Sequence, residues 1–90
     1  ELYLIGIGGA DRSHVARMLR NEEERARQKN PLERIMRLEA SNGNWRIETT
    51  TEKLAQRLGR SLKKARGGSL AYQWSHNNKF VRVIWQNKTE

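Results

Sequence analysis

The sequence predicts an α+β domain: an N-terminal helix followed by β-β-α-β-β, an antiparallel sheet with helices on one face. Three observations carry this. Ser41-Asn42-Gly43-Asn44 reads as a two-residue hairpin turn between strand-like runs. Residues 53–66 repeat leucines and cations with a helical period. Leu70, Tyr72 and Trp74, then Val81, Val83 and Trp85, recur at every second position, as the strands of a second hairpin do. One antiparallel hairpin on each side of a helix leaves the helices on a single sheet face.

Leu2-Tyr3-Leu4-Ile5-Gly6-Ile7 reads as a short strand that ends in the turn residues Gly8-Gly9. A helix starts at Asp11 or Ser13, either of which can cap it, with Val15, Met18 and Leu19 as its apolar stripe. Beyond Leu19 the helix becomes charged, and Arg20/Glu24 and Glu23/Arg27 stand at i,i+4. Asn30-Pro31 stops it, because the residue before proline is driven out of the α region. We read one helical turn at Pro31–Arg34, then a hairpin of about 35–41 and 44–50.

In the second strand of that hairpin Trp45, Ile47 and Thr49 share one face, and Arg46 and Glu48 the other. Thr49 with Glu52 forms a capping box for the main helix, with Thr50 or Thr51 as alternatives. Gly67-Gly68 ends that helix through positive φ. Ser75 to Lys79 joins the last two strands, with Asn77-Asn78 as turn residues. Residues 1–30 thus hold a strand and a charged helix, residues 31–90 a ββαββ unit, and the whole is one small domain.

Within the main helix, Lys53, Arg57, Arg60 and Lys64 recur at offsets that place them in one narrow stripe. Leu54, Leu58, Leu62 and Ala65 fall on another side and can dock on a core. Glu52 is the only acid of this helix, whereas a merely solvated face interleaves both signs. Such a helix presents charge in a fixed geometry, and a phosphate backbone is the commonest polyanion to receive it.

The net charge is +8, with eight Lys/Arg against seven Asp/Glu in residues 1–43 and ten against three in residues 44–90. That imbalance directs the partner to the C-terminal half. With 36% apolar and 31% charged residues the core must be thin, so the aromatic residues supply much of it. Trp74 and Trp85 are read as core; Phe80 and Arg82 face the other way and are the exposed candidates for base stacking, beside Lys79.

The absence of Cys removes disulfides, thiolate metal sites and Cys nucleophiles, and fits a cytoplasmic protein. Leu2 to Ile7 is too short to span a bilayer, so no membrane partner is expected. The chain starts at Glu1 rather than Met, as a fragment or a processed product does. Gly6-Ile7-Gly8-Gly9 lacks the last glycine of a dinucleotide loop, and no second parallel strand is expected, so it reads as a turn. His14 and His76 form no ligand-spaced pair, and no cofactor or metal is called for. Glu22-Glu23-Glu24 reads as a solvated helix face, or alternatively as an acidic patch for a basic partner.

Asn21-Glu22-Glu23-Glu24-Arg25-Ala26 followed by Asn30-Pro31-Leu32-Glu33-Arg34-Ile35-Met36 is distinctive. So is Thr49-Thr50-Thr51-Glu52-Lys53-Leu54-Ala55-Gln56-Arg57-Leu58-Gly59-Arg60, ending in Val81-Arg82-Val83-Ile84-Trp85. Over residues 15–86 these resemble the C-terminal domain of a family of small prokaryotic zinc-ribbon proteins. The cysteines of that family's ribbons do not occur here, so a zinc requirement is not carried over. In its architecture, and in a helix followed by Gly-Gly and a strand, the chain is more distantly similar to the archaeal and eukaryotic adaptor that exports the large ribosomal subunit. That similarity implies contact with the ribosome or its RNA.

The expectation is a non-enzymatic, ribosome-associated RNA-binding domain. Lys53, Arg57, Arg60 and Lys64 hold phosphates, with Lys63, Arg66, Arg82 and Lys79 at the margin. Phosphate contacts of this kind position the nucleic acid without choosing its sequence. The alternative is a protein-protein interaction module that uses the acidic part of the first helix or an open sheet.

Overall fold

A computed structural model describes residues 1–77 and 80–88. In chain order these form β1 (Leu2–Ile5), α1 (Arg12–Lys29), β2 (Ile35–Ser41), β3 (Asn44–Thr49), α2 (Glu52–Arg66), β4 (Ser69–Trp74) and β5 (Val81–Gln86), with a single 3₁₀ turn at Gly9–Asp11 before α1. The strands make one sheet in the order β2-β3-β1-β5-β4. The fold is α+β as expected, and the short strand read at the start of the chain forms. It joins the hairpins at the centre of their sheet, so the order opens on a strand of that sheet rather than on the N-terminal helix.

β1 is antiparallel to β3 and parallel to β5, so the sheet is mixed rather than antiparallel. Leu2 lies between Ile47 and Val83, and Leu4 between Trp45 and Trp85. All six side chains are buried on the same side. The second parallel strand that the sequence did not suggest is β5, almost the whole chain away. A four-residue strand carries too little local pattern to show that both of its edges are taken.

One face of the sheet carries the core, and both helices supply the other half of it. Val15, Leu19 and Ala26 of α1 and Leu54, Ala55, Leu58 and Leu62 of α2 join the buried strand residues in a single cluster. Ala65, expected on that apolar side, is exposed. Trp85 is fully buried, and its indole N–H donates to the Gly67 carbonyl at 2.9 Å, below the end of α2. Among the described residues nothing covers the opposite face of the sheet, where Arg37, Glu39, Arg46 and Arg82 are exposed.

The two hairpins fall where the sequence puts them. Asn42 and Gly43 both have positive φ, 52° and 81°, as the turn between β2 and β3 requires. That turn also anchors the start of the chain, since the Ile7 N–H donates to the Gly43 carbonyl at 2.8 Å. Residues 31–34 differ from expectation: they form a β-turn, with the Glu33 N–H on the Asn30 carbonyl at 3.0 Å, and no helical turn. The reason is Glu33, whose buried carboxylate accepts from the Thr51 hydroxyl at 2.9 Å. It serves the cap of the next helix instead of capping its own.

Candidate nucleic-acid interface

α2 is held at three points along its length. Its N-cap is Thr51, not Thr49: the hydroxyl oxygen accepts from the Leu54 N–H at 3.1 Å while its proton goes to Glu33. Thr49 donates to the Thr51 carbonyl instead. Glu52 reaches outward from the first turn and accepts the Val81 N–H at 2.9 Å, which joins the helix start to β5. At mid-helix Gly59 allows close approach, since a Cβ there would lie 2.8 Å from Val83 Cγ1. Gly67, at φ 77°, then ends the helix as the sequence predicts.

This anchoring fixes which cations are available. Lys53, Arg60 and Lys64 are exposed, and no hydrogen bond or ion pair ties them to the described residues. They span about 16 Å of helix at 1.5 Å per residue. Arg57 belongs to the same stripe but is half-buried, with its Nε on Glu22 of α1 at 2.8 Å. Arg66 is similarly spent on Asp11 at 2.9 Å, at the other end of the helix pair. Lys63 donates to the Gly68 carbonyl at 3.1 Å. Arg82 points to the bare face of the sheet, its guanidinium 5.1 Å from the centre of the Tyr3 ring. Lys79 and Asn78 lie outside the described residues.

The acidic run of α1 does not form a solvated face. Glu23 is buried and accepts the Ile35 N–H at 2.6 Å, and Glu22 turns to Arg57; only Glu24 stays in solvent. The pairs that form within α1 are i,i+3, Arg20–Glu23, Arg25–Glu22 and Arg27–Glu24, rather than i,i+4. Glu22 and Glu23 have tertiary partners, and that fixes which neighbours they can reach. With the acids turned inward, Arg12, Arg17 and Lys29 remain exposed and unpaired among the described residues, and sequence reasoning passed over them. A helical wheel for α1 could have found them.

The charge therefore sorts by layer as well as by half of the sequence. α1 and α2 together carry twelve Lys/Arg against four Asp/Glu, a net of +8, and the rest of the chain carries six against six. A groove of about 430 Å³ between the helices is lined by Met18, Asn21, Glu22, Arg25, Ser61, Lys64 and Ala65. The bare sheet face is balanced. There Arg46 holds Glu1 at 2.7 Å and Glu48 at 3.3 Å, and Arg37 pairs with Glu39. The Arg46 hydrogen bond keeps the Glu1 carboxyl below its ordinary range, against the opposing effect of its partial burial.

Of the two tryptophans read as core, Trp85 is buried and Trp74 is 55% exposed. Trp74 and Tyr72 pair with Val81 and Val83, so they are on the helix side of the sheet, but on its edge strand beyond the cover of α2. Phe80 is exposed just ahead of β5. Among the described residues no cluster of His, Asp and Glu could hold a metal ion, and no helix is long and apolar enough to cross a membrane. No family model, curated protein or solved structure matches this chain.

Proposed function

We propose that this chain is a non-enzymatic RNA-binding domain that holds phosphates on the outer surface of its two-helix layer. The observation that carries this reading is the location of the whole net charge on α1 and α2. Lys53, Arg60 and Lys64 are the primary contacts, with Arg12, Arg17 and Lys29 extending the surface along α1. Arg57 and Arg66 act through position, by clamping the two helices together. Association with the ribosome is the setting implied by the resemblance to the subunit-export adaptor.

The test is fluorescence anisotropy against a ribosomal RNA fragment, single-stranded RNA and duplex DNA over a salt series. Three phosphate contacts imply a log–log slope of about −2 on a single strand, at ~0.7 per contact. Changing Lys53, Arg60 and Lys64 together to Gln should lower affinity and flatten that slope, with the fold intact by circular dichroism. Equal binding by the triple variant and the wild type would remove this reading. A protein-interaction role is favoured by one separate feature, the uncovered edge of β4.

A further inference from the structure

We propose that β4 is a self-association edge, pairing antiparallel with β4 of a second copy of this chain to continue the sheet across a two-fold axis. β4 is the last strand of the sheet, so among the described residues one side of its backbone meets no other strand. Which groups face out follows from the hairpin. The Ser75 N–H donates to the Phe80 carbonyl, and antiparallel ladders alternate, so the odd residues of β4 bond towards β5. The N–H and C=O groups of Leu70, Tyr72 and Trp74 therefore point away from the molecule.

An exposed edge of this kind is normally blunted by charge, proline or a bulge. The opposite edge of the sheet has such protection: β2 carries Arg37 and Glu39 and a register shift between Ile35 and Arg37. Ser69-Leu70-Ala71-Tyr72-Gln73-Trp74 has no charge, no proline and no glycine, and pairs with β5 without a shift. Tyr72 and Trp74 are 40% and 55% exposed beside it.

The occupant is a second copy because the strand is its own complement. A two-fold axis perpendicular to the sheet keeps the helix side of both copies on one side. Leu70, Tyr72 and Trp74 then stay together only if a residue of the strand lies opposite itself. Centring the pair on Tyr72 sets Leu70 across from Trp74 of the other copy, and Ala71 across from Gln73. In that register the outward groups of residues 70, 72 and 74 form the hydrogen-bonded pairs, each exchanging both bonds. β4 itself brings no charged side chain to the seam, and its sequence is Ser-Leu-Ala-Tyr-Gln-Trp. A single-strand seam is small, and two +8 molecules repel, so the association is weak at low salt and tightens as salt screens the helices.

The experiment is sedimentation equilibrium of the chain at low and high salt over a wide concentration range, without RNA. The expected result is a monomer–dimer equilibrium that tightens with salt and that Tyr72→Lys weakens by at least about tenfold, since two like charges would then be opposed. The chain has no Cys, so a second readout is clean. Tyr72→Cys should oxidise to a covalent dimer, directly opposed Cα atoms ~5.5 Å apart being within disulfide reach, whereas Met36→Cys on the β2 edge should not. The proposal is overturned by a monomer under all conditions, by a dimer that Tyr72→Lys leaves unchanged, or by equal cross-linking at Met36→Cys. RNA binding weakens with salt while this association strengthens, so failure of one leaves the other standing.

Discussion

Arg57 of α2 donates from Nε to Glu22 of α1 at 2.8 Å, and this contact divides the cationic stripe into residues that brace the fold and residues that face solvent. Glu22 also accepts from Arg25 at 3.2 Å, so one carboxylate is shared between the helices. Its side chain is only 13% exposed, which makes the pair stronger than a surface ion pair.

Arg57→Gln and Arg60→Gln should therefore differ in kind. The first should cost roughly 1–2 kcal/mol of stability, leaving Glu22 short of a charged donor, with little loss of RNA affinity. The second should leave the melting temperature unchanged and weaken binding. Paired thermal melts and anisotropy titrations measure both. Equal loss of affinity in the two variants would mean that Arg57 leaves Glu22 to meet phosphate.

Glu23→Ala should destabilise by about 1–3 kcal/mol, because the buried Ile35 N–H would lose its acceptor. Glu23→Gln keeps an acceptor in place and should retain most of the stability. Urea melts of the two variants distinguish them, and the amide proton of Ile35 should lose its exchange protection in the alanine variant alone.

Gly59→Ala tests the contact below α2. Alanine improves helix propensity by ~1 kcal/mol over glycine. Here its Cβ would meet Val83 Cγ1 at 2.8 Å and Leu70 Cδ1 at 3.0 Å. Val83 is fully buried and cannot swing away, so overpacking at a cost of roughly 1–3 kcal/mol should prevail. Combining it with Val83→Ala should cost less than the sum of the two single changes, a coupling that a double-mutant cycle reads directly.

The Glu1–Arg46 pair gives a pH dependence of defined sign. Arg46 lowers the Glu1 carboxyl from its ordinary 4.5. The unfolded chain then takes up this proton first, so the stability contributed by the pair is fully present above pH 4.5. It is lost as pH falls through the lower, folded value. An NMR titration of the Glu1 carboxyl should show a midpoint below 4.5 that Arg46→Gln moves back up. An unchanged midpoint in that variant would assign the shift elsewhere.

Local chemistry made much of this fold readable from the sequence. Asn42-Gly43 is among the few dipeptides suited to two successive positive-φ positions, and the two-residue period of Leu70–Trp74 and Val81–Trp85 has one physical solution when one face is buried. The limits of α2 follow equally from a hydroxyl that caps and a glycine that terminates. Lys53, Arg60 and Lys64 could be placed on a solvent face because helical periodicity alone determines which residues share a side.

Tertiary structure decided what depends on distant partners. β1 became the central strand through contacts with residues more than forty positions away, and no pattern within four residues encodes them. Glu22 and Glu23 read as surface acids, and Glu33 as part of a helical turn, until Arg57, the Ile35 N–H and Thr51 are brought to them. The same approach withdrew Arg57 and Arg66 from solvent and gathered the net charge into one layer. Trp74 and Trp85 are alike in sequence, yet one is exposed and the other buried, because sheet order puts β4 at the edge and β5 inside. Periodicity fixes the side of an element on which a residue lies, whereas only the packed chain fixes what stands opposite it.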